Sequence, residues 1–102
     1  SNNKNDTIKK IVNDLLPGSR IILFGSRAKD NYSGKSDYDL MIVTKDTLSI
    51  DNKRKYQSRL RKELARHKLP ADILIQSEEE IKTKKEIIGH IVREIMNEGV
   101  TI

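Results

Sequence analysis

The chain is 102 residues long, with a formal net charge of +5, 35% hydrophobic and 34% charged residues, and no cysteine. That length suits a single domain, and the gathering of apolar residues into periodic segments excludes a disordered polymer. Without cysteine there is neither a disulfide framework nor a thiolate metal site, and no apolar run approaches the roughly 20 residues of a membrane span.

The excess of Lys and Arg suits a polyanionic partner, such as RNA, DNA or a nucleoside triphosphate, or an acidic protein, without choosing among them. No signal-peptide pattern opens the chain, and the expectation is a cytoplasmic protein with no membrane association. Ser1 and Asn2 read as a cloning remnant, so the expected single domain is residues 3–102.

Residues 5–16 carry Ile8, Ile11, Val12, Leu15 and Leu16 at the i, i+3, i+4, i+7, i+8 spacing of an amphipathic helix. Asn5 or Asp6 can cap its start, and Pro17-Gly18 stops it. Residues 20–24 are short and apolar, as in a strand. Residues 25–36 hold Gly, Ser, Asn and Asp without helical period, so they read as a loop, with a short helical turn after Gly25-Ser26. A second strand is expected over residues 38–43.

Residues 51–68 place Tyr56, Leu60 and Leu64 four apart on one helical face, with Leu69-Pro70 ending the helix. Eight Lys or Arg against two acids give this helix a net charge of +6. Only Tyr56 is available for base stacking and it lies on the apolar face, so the basic side reads as a solvated exterior and direct nucleic-acid binding is not expected. A third strand follows over residues 71–75. Ser77-Glu78-Glu79-Glu80 has the form of a capping box and opens one long helix with Ile81, Ile88, Ile91, Val92, Ile95 and Met96 inward and Gly99 as its stop. His67 and His90 have no ligand spacing and read as structural. Gly89, inside the expected helix, marks a kink or a close contact. Residues 100–102 can add a short edge strand. The predicted class is α/β (α+β), a small mixed sheet of three to four strands with helices packed on it.

The chemistry gathers in the loop and the strand starts. Asp37 and Asp39 lie one residue apart at the mouth of a strand, so they share a face. Two such carboxylates repel unless a cation lies between them, and a hard divalent ion such as Mg²⁺ supplies one. Asp72, at the start of the third strand, can join them as a third metal ligand and as acceptor of a proton from an attacking hydroxyl. Gly25 allows close backbone approach to a phosphate, Ser26 can bond its oxygens, and Arg27, with Lys35 as a second candidate, can neutralise a triphosphate. The Walker lysine pattern is absent.

Taken singly, each feature has a plainer reading: Asp-x-Asp as a solvated strand start, Asp72 as a charge guarding a strand edge, Arg27 as a surface cation. Their conjunction carries the argument.

That conjunction resembles the nucleotidyltransferase fold of the DNA polymerase β superfamily, and more narrowly the minimal nucleotidyltransferases, or MNT proteins. Phe24-Gly25-Ser26-Arg27-Ala28, followed by Ser36-Asp37-Tyr38-Asp39-Leu40 with Asp37 eleven residues after Ser26, matches their signature and spacing. The likeness runs from the first helix to Glu98-Gly99-Val100. It departs at Lys29-Asp30, where the family usually has a basic residue and glycine.

The resemblance implies that Gly25 and Ser26 hold the phosphates of ATP and that Asp37, Asp39 and Asp72 bind Mg²⁺. It further implies an antitoxin that moves AMP from ATP to a tyrosine of a partner HEPN-domain RNase toxin. The alternative is an antitoxin that neutralises its partner by contact alone. An antibiotic-modifying transferase would need a further domain to hold the drug. A chain of this size has little room for a second substrate pocket, which favours an acceptor on a protein surface.

Overall fold

The computed structural model describes residues 3–29 and 36–102. Its elements run α1 (Asn3–Leu15), β1 (Arg20–Phe24), a 3-10 turn (Gly25–Ala28), β2 (Tyr38–Thr44), α2 (Ile50–Arg66), β3 (Ala71–Ser77), α3 (Glu78–Lys84), α4 (Ile91–Glu98) and β4 (Val100–Thr101). Lys35 and Asp30, the alternative cation and the departure from the family pattern, lie outside the described residues.

Among the described residues the sheet has four strands in the order β3-β2-β1-β4. β2 and β3 are parallel, joined through α2, while β1 is antiparallel to both β2 and β4. The long loop after β1 thus reverses the chain, and the end of β1 lies beside the starts of β2 and β3. Gly25, Ser26, Arg27, Asp37, Asp39 and Asp72 all fall at that one edge.

Alternation along the strands divides the core in two. Ile21, Leu23, Tyr38, Leu40, Ile42 and Ile75 pack on one face with Ile8, Ile11 and Val12 of α1 and Leu60 and Leu64 of α2. Tyr56 joins this cluster, as its helical spacing predicts. Burying each leucine contributes about 1.5–3 kcal/mol, and this face carries most of them. The opposite face packs Ile22, Met41 and Val43 against Ile81 of α3 and Val92 and Ile95 of α4.

Ser77 ends β3 and caps α3. Its hydroxyl accepts from the Glu80 amide at 3.0 Å, and Glu80 Oε1 accepts from the Ser77 amide at 2.9 Å. Burial pushes the Glu80 carboxyl up, but hydrogen bonds from Lys53 and the Ser77 amide more than offset this and leave it below the usual range. Lys53 reaches Glu80 at 2.7 Å and so ties α2 to the start of α3 across the end of the sheet.

The expected single helix after Ser77 is two helices. Gly89 has φ +82, a left-handed conformation that interrupts the helix. The His90 ring then caps α4, its Nδ1 accepting from the Val92 amide at 3.1 Å. Ile81, Val92 and Ile95 are buried as predicted, and Met96 packs against them, but Ile88 and Ile91 face solvent. The break rotates α4 relative to the α3 register and so turns these two residues outward. Gly99 lies against Ile22 and Leu23 of β1, where a Cβ would not fit, and the chain then pairs as β4.

Candidate active site

Three strand ends build the site. Tyr38 donates its amide to the Pro70 carbonyl at 2.9 Å, pinning the start of β2 to the start of β3. The register then sets Asp39 opposite Asp72 on one side and opposite Phe24 on the other. All three point to the face that α3 and α4 cover. That cover stops short of this edge: Asp37 and Asp72 are exposed and Asp39 is partly buried.

The carboxylates sense one another. The Asp39 carboxyl is held above the ordinary aspartate value by burial first, then by the negative charges of Asp72 and Asp37. This repulsion is what a divalent cation would relieve, and an all-carboxylate oxygen set suits a hard ion. The donor chemistry therefore fits the metal the sequence suggests. Among the described residues, however, no three acidic or histidine side chains close tightly enough to hold an ion by themselves.

Gly25 opens the turn after β1 with φ +70 and lies against Asp39, where a Cβ would overlap Oδ2. Glycine is required twice over, for the left-handed backbone and for the close approach of turn and carboxylate. Ser26 is exposed in the same turn. Arg27 is half-buried, its guanidinium 4.1 Å over the Tyr38 ring and its Nε donating to the Ser36 carbonyl at 2.7 Å. Its positive charge is fixed between the Gly-Ser turn and the residue preceding Asp37. Tyr38 was not singled out from the sequence. Its signal was its place between two acids, where its ring must face the α1–α2 side.

Beside this edge is a cleft of about 170 Å³, walled by Phe24, Gly25 and Lys29 on one side and by Ile91, Glu94 and Glu98 of α4 on the other. Periodicity did not single out Lys29, Glu94 or Glu98, because only the bend before α4 brings them together. A larger groove of about 590 Å³ runs between α1 and α2, near Ile11, Arg59 and His67, and holds none of the predicted site residues. No glycine among the described residues lines that groove. His67 closes α2 with Nε2 3.6 Å from Glu63, in keeping with a structural role. No helix among the described residues is long and apolar enough to cross a membrane.

The family model for the nucleotidyltransferase domain matches residues 6–102. A candidate protein adenylyltransferase of Methanocaldococcus jannaschii is 36% identical over 95 residues, covering 93% of this chain and 87% of that protein. Among solved structures, one chain of a toxin–antitoxin pair with AMP-PNP superposes with a TM-score of 0.65 at 20% identity, covering 98% of this chain and 72% of that one. One chain of the complex of tri-AMPylated Shewanella oneidensis HEPN toxin with MNT antitoxin gives a TM-score of 0.56 at 18% identity, over 96% and 67%. At those identities the shared property is the fold: a four-stranded mixed sheet between helices.

Proposed function

Because the chain belongs to the nucleotidyltransferase domain family, we propose that it transfers AMP from ATP to a hydroxyl on a partner protein, a tyrosine of a HEPN-domain toxin, in the cytoplasm. The observation that carries this reading is the row Asp39–Asp72, joined by Asp37 and pressed against the Gly25 turn. The name of the archaeal relative supports adenylyl transfer, and the solved pairs with AMP-PNP and with AMPylated toxin support the donor and the acceptor.

In this reading Gly25 and Ser26 hold the phosphates through backbone amides and the Ser26 hydroxyl. Arg27, braced by Tyr38, keeps the turn in place and adds positive potential beside it. Asp37, Asp39 and Asp72 would hold Mg²⁺, which when bound offsets the phosphate charge and relieves carboxylate repulsion. The acceptor oxygen attacks the α-phosphorus, forming the new O–P bond as the bond to pyrophosphate breaks. Asp72, exposed at the rim, takes the hydroxyl proton on its carboxylate, and pyrophosphate leaves with the bonding electrons.

The test is mass spectrometry of the HEPN partner after incubation with ATP, Mg²⁺ and this chain, with a gain of about 329 Da per AMP added. Asp72→Asn should nearly abolish the gain. Neutralisation of the partner with no mass gain, equally well by Asp72→Asn, would replace this reading with inhibition by contact.

A further inference from the structure

Three isoleucines stand in solvent where α3 gives way to α4: Ile87 at 47%, Ile88 at 87% and Ile91 at 52% exposure. They make up most of the large exposed apolar side chains among the described residues; the others, Ile50 and Val100, stand apart in sequence. A continuous helix from Ser77 would have carried Ile88 and Ile91 inward with Val92 and Ile95. The chain instead breaks at Gly89, whose left-handed backbone has nothing within 4 Å of its Cβ position, and restarts on the His90 cap. Close packing does not require the glycine. Its effect is to present an apolar ledge of three exposed isoleucines within five residues, and apolar side chains grouped on the surface of a small polar chain mark a contact surface.

The ledge adjoins the site. Ile91 lines the cleft whose other wall is Phe24, Gly25 and Lys29, and Gly25 is the residue pressed against Asp39. Ile88 lies within about 10–11 Å of Ile91 along the chain, so a molecule seated on both reaches the mouth of the carboxylate edge. The charge of the cleft selects the occupant. Glu94 and Glu98 make the α4 wall negative in a chain whose net charge is +5, so that wall attracts a basic side chain, while the Gly25 turn opposite is left to the phosphates.

We infer that Ile87, Ile88 and Ile91, with Glu94 and Glu98, form the docking surface for the acceptor protein. The segment it receives carries an apolar side chain on the ledge and a basic side chain against the two glutamates, with the acceptor hydroxyl beyond them at the carboxylates. This inference rests on the adenylyl-transfer reading for the identity of the partner. It adds where the partner sits and what chemistry recognises it.

The experiment titrates this chain with a HEPN-domain protein from the same organism, by calorimetry without ATP, and then measures transfer with ATP and Mg²⁺. Ile88→Asp and the pair Glu94→Lys/Glu98→Lys should each weaken binding by about tenfold or more. They should raise the KM for the acceptor while leaving the KM for ATP unchanged. Ile50→Asp, another exposed apolar position, at the start of α2, should bind as the unaltered chain does. Wild-type affinity in the Ile88 variant overturns the ledge, and so does failure of the unaltered chain to bind. Binding that the ledge variants lose, with no AMP transferred by any form, keeps the docking surface and overturns the transfer reading instead.

Discussion

On the α1–α2 side of the sheet β2 is apolar from its start, Tyr38, Leu40 and Ile42 following one another beneath Leu60 and Leu64. On the reverse side the same strand reads Val43 and Met41 beneath α3 and α4, and then Asp39 where the helices no longer reach. One strand thus serves a sealed face and an interrupted one. The sealed face needs its residues to stay folded. At the uncovered edge the fold gains nothing from carboxylates that repel one another.

The sharpest way to break this contrast is Asp39→Asn. Transfer should fall by about a thousandfold or more, equivalent to about 4 kcal/mol of transition-state stabilisation, while circular dichroism shows an intact fold. Retained transfer would mean that the uncovered edge is not the catalytic one.

Leu64→Ala probes the sealed face. It removes a fully buried side chain between α2 and the sheet and should destabilise the domain by about 2–5 kcal/mol in denaturant titration. Transfer per folded molecule should not change. Coupled loss of both would show that the two faces are not independent.

Gly25→Ala joins the two. Left-handed backbone at a residue with a Cβ costs about 1–2 kcal/mol, and the new methyl must displace the Asp39 carboxylate. Both melting temperature and transfer should drop. A fall in stability alone would show that the turn and the carboxylate need not touch for chemistry.

Much of this architecture could be read from periodicity. The helices around Ile8–Val12 and Tyr56–Leu64, the strands, and the capping box at Ser77 each follow from local spacing that tertiary packing reinforces. The break between α3 and α4 could not, because Ile81, Ile88, Val92 and Ile95 satisfy a helical period whether or not the helix continues. Gly89 followed by a ring nitrogen able to cap was the available signal, and a lone glycine is tolerated in helices too often to decide the matter. The site shows the same division. Its acids and its Gly-Ser turn are a motif in the chain, whereas the register of Asp39 with Asp72, the seating of Arg27 on Tyr38 and the Glu94–Glu98 wall depend on the assembled sheet.

The smallest expected effect concerns stability at the uncovered edge. Burial, followed by Asp72 and Asp37, raises the Asp39 carboxyl above its ordinary value, so the folded chain holds that proton more tightly than the unfolded chain does. Below the ordinary aspartate range both states are protonated and Asp39 carries no penalty. As pH rises through that range to the raised value, the unfolded state loses its proton first and the fold loses stability. Asp39→Asn removes the penalty. The variant and the parent should therefore unfold together near about pH 3, while at neutral pH the variant should melt a few degrees higher in the absence of divalent ions. Adding Mg²⁺ should raise the melting temperature of the parent more than that of the variant, closing or reversing the gap. A variant that melts lower than its parent in metal-free buffer at neutral pH would show that Asp39 stabilises the fold. The uncovered edge would then differ from the sealed face in residue type alone.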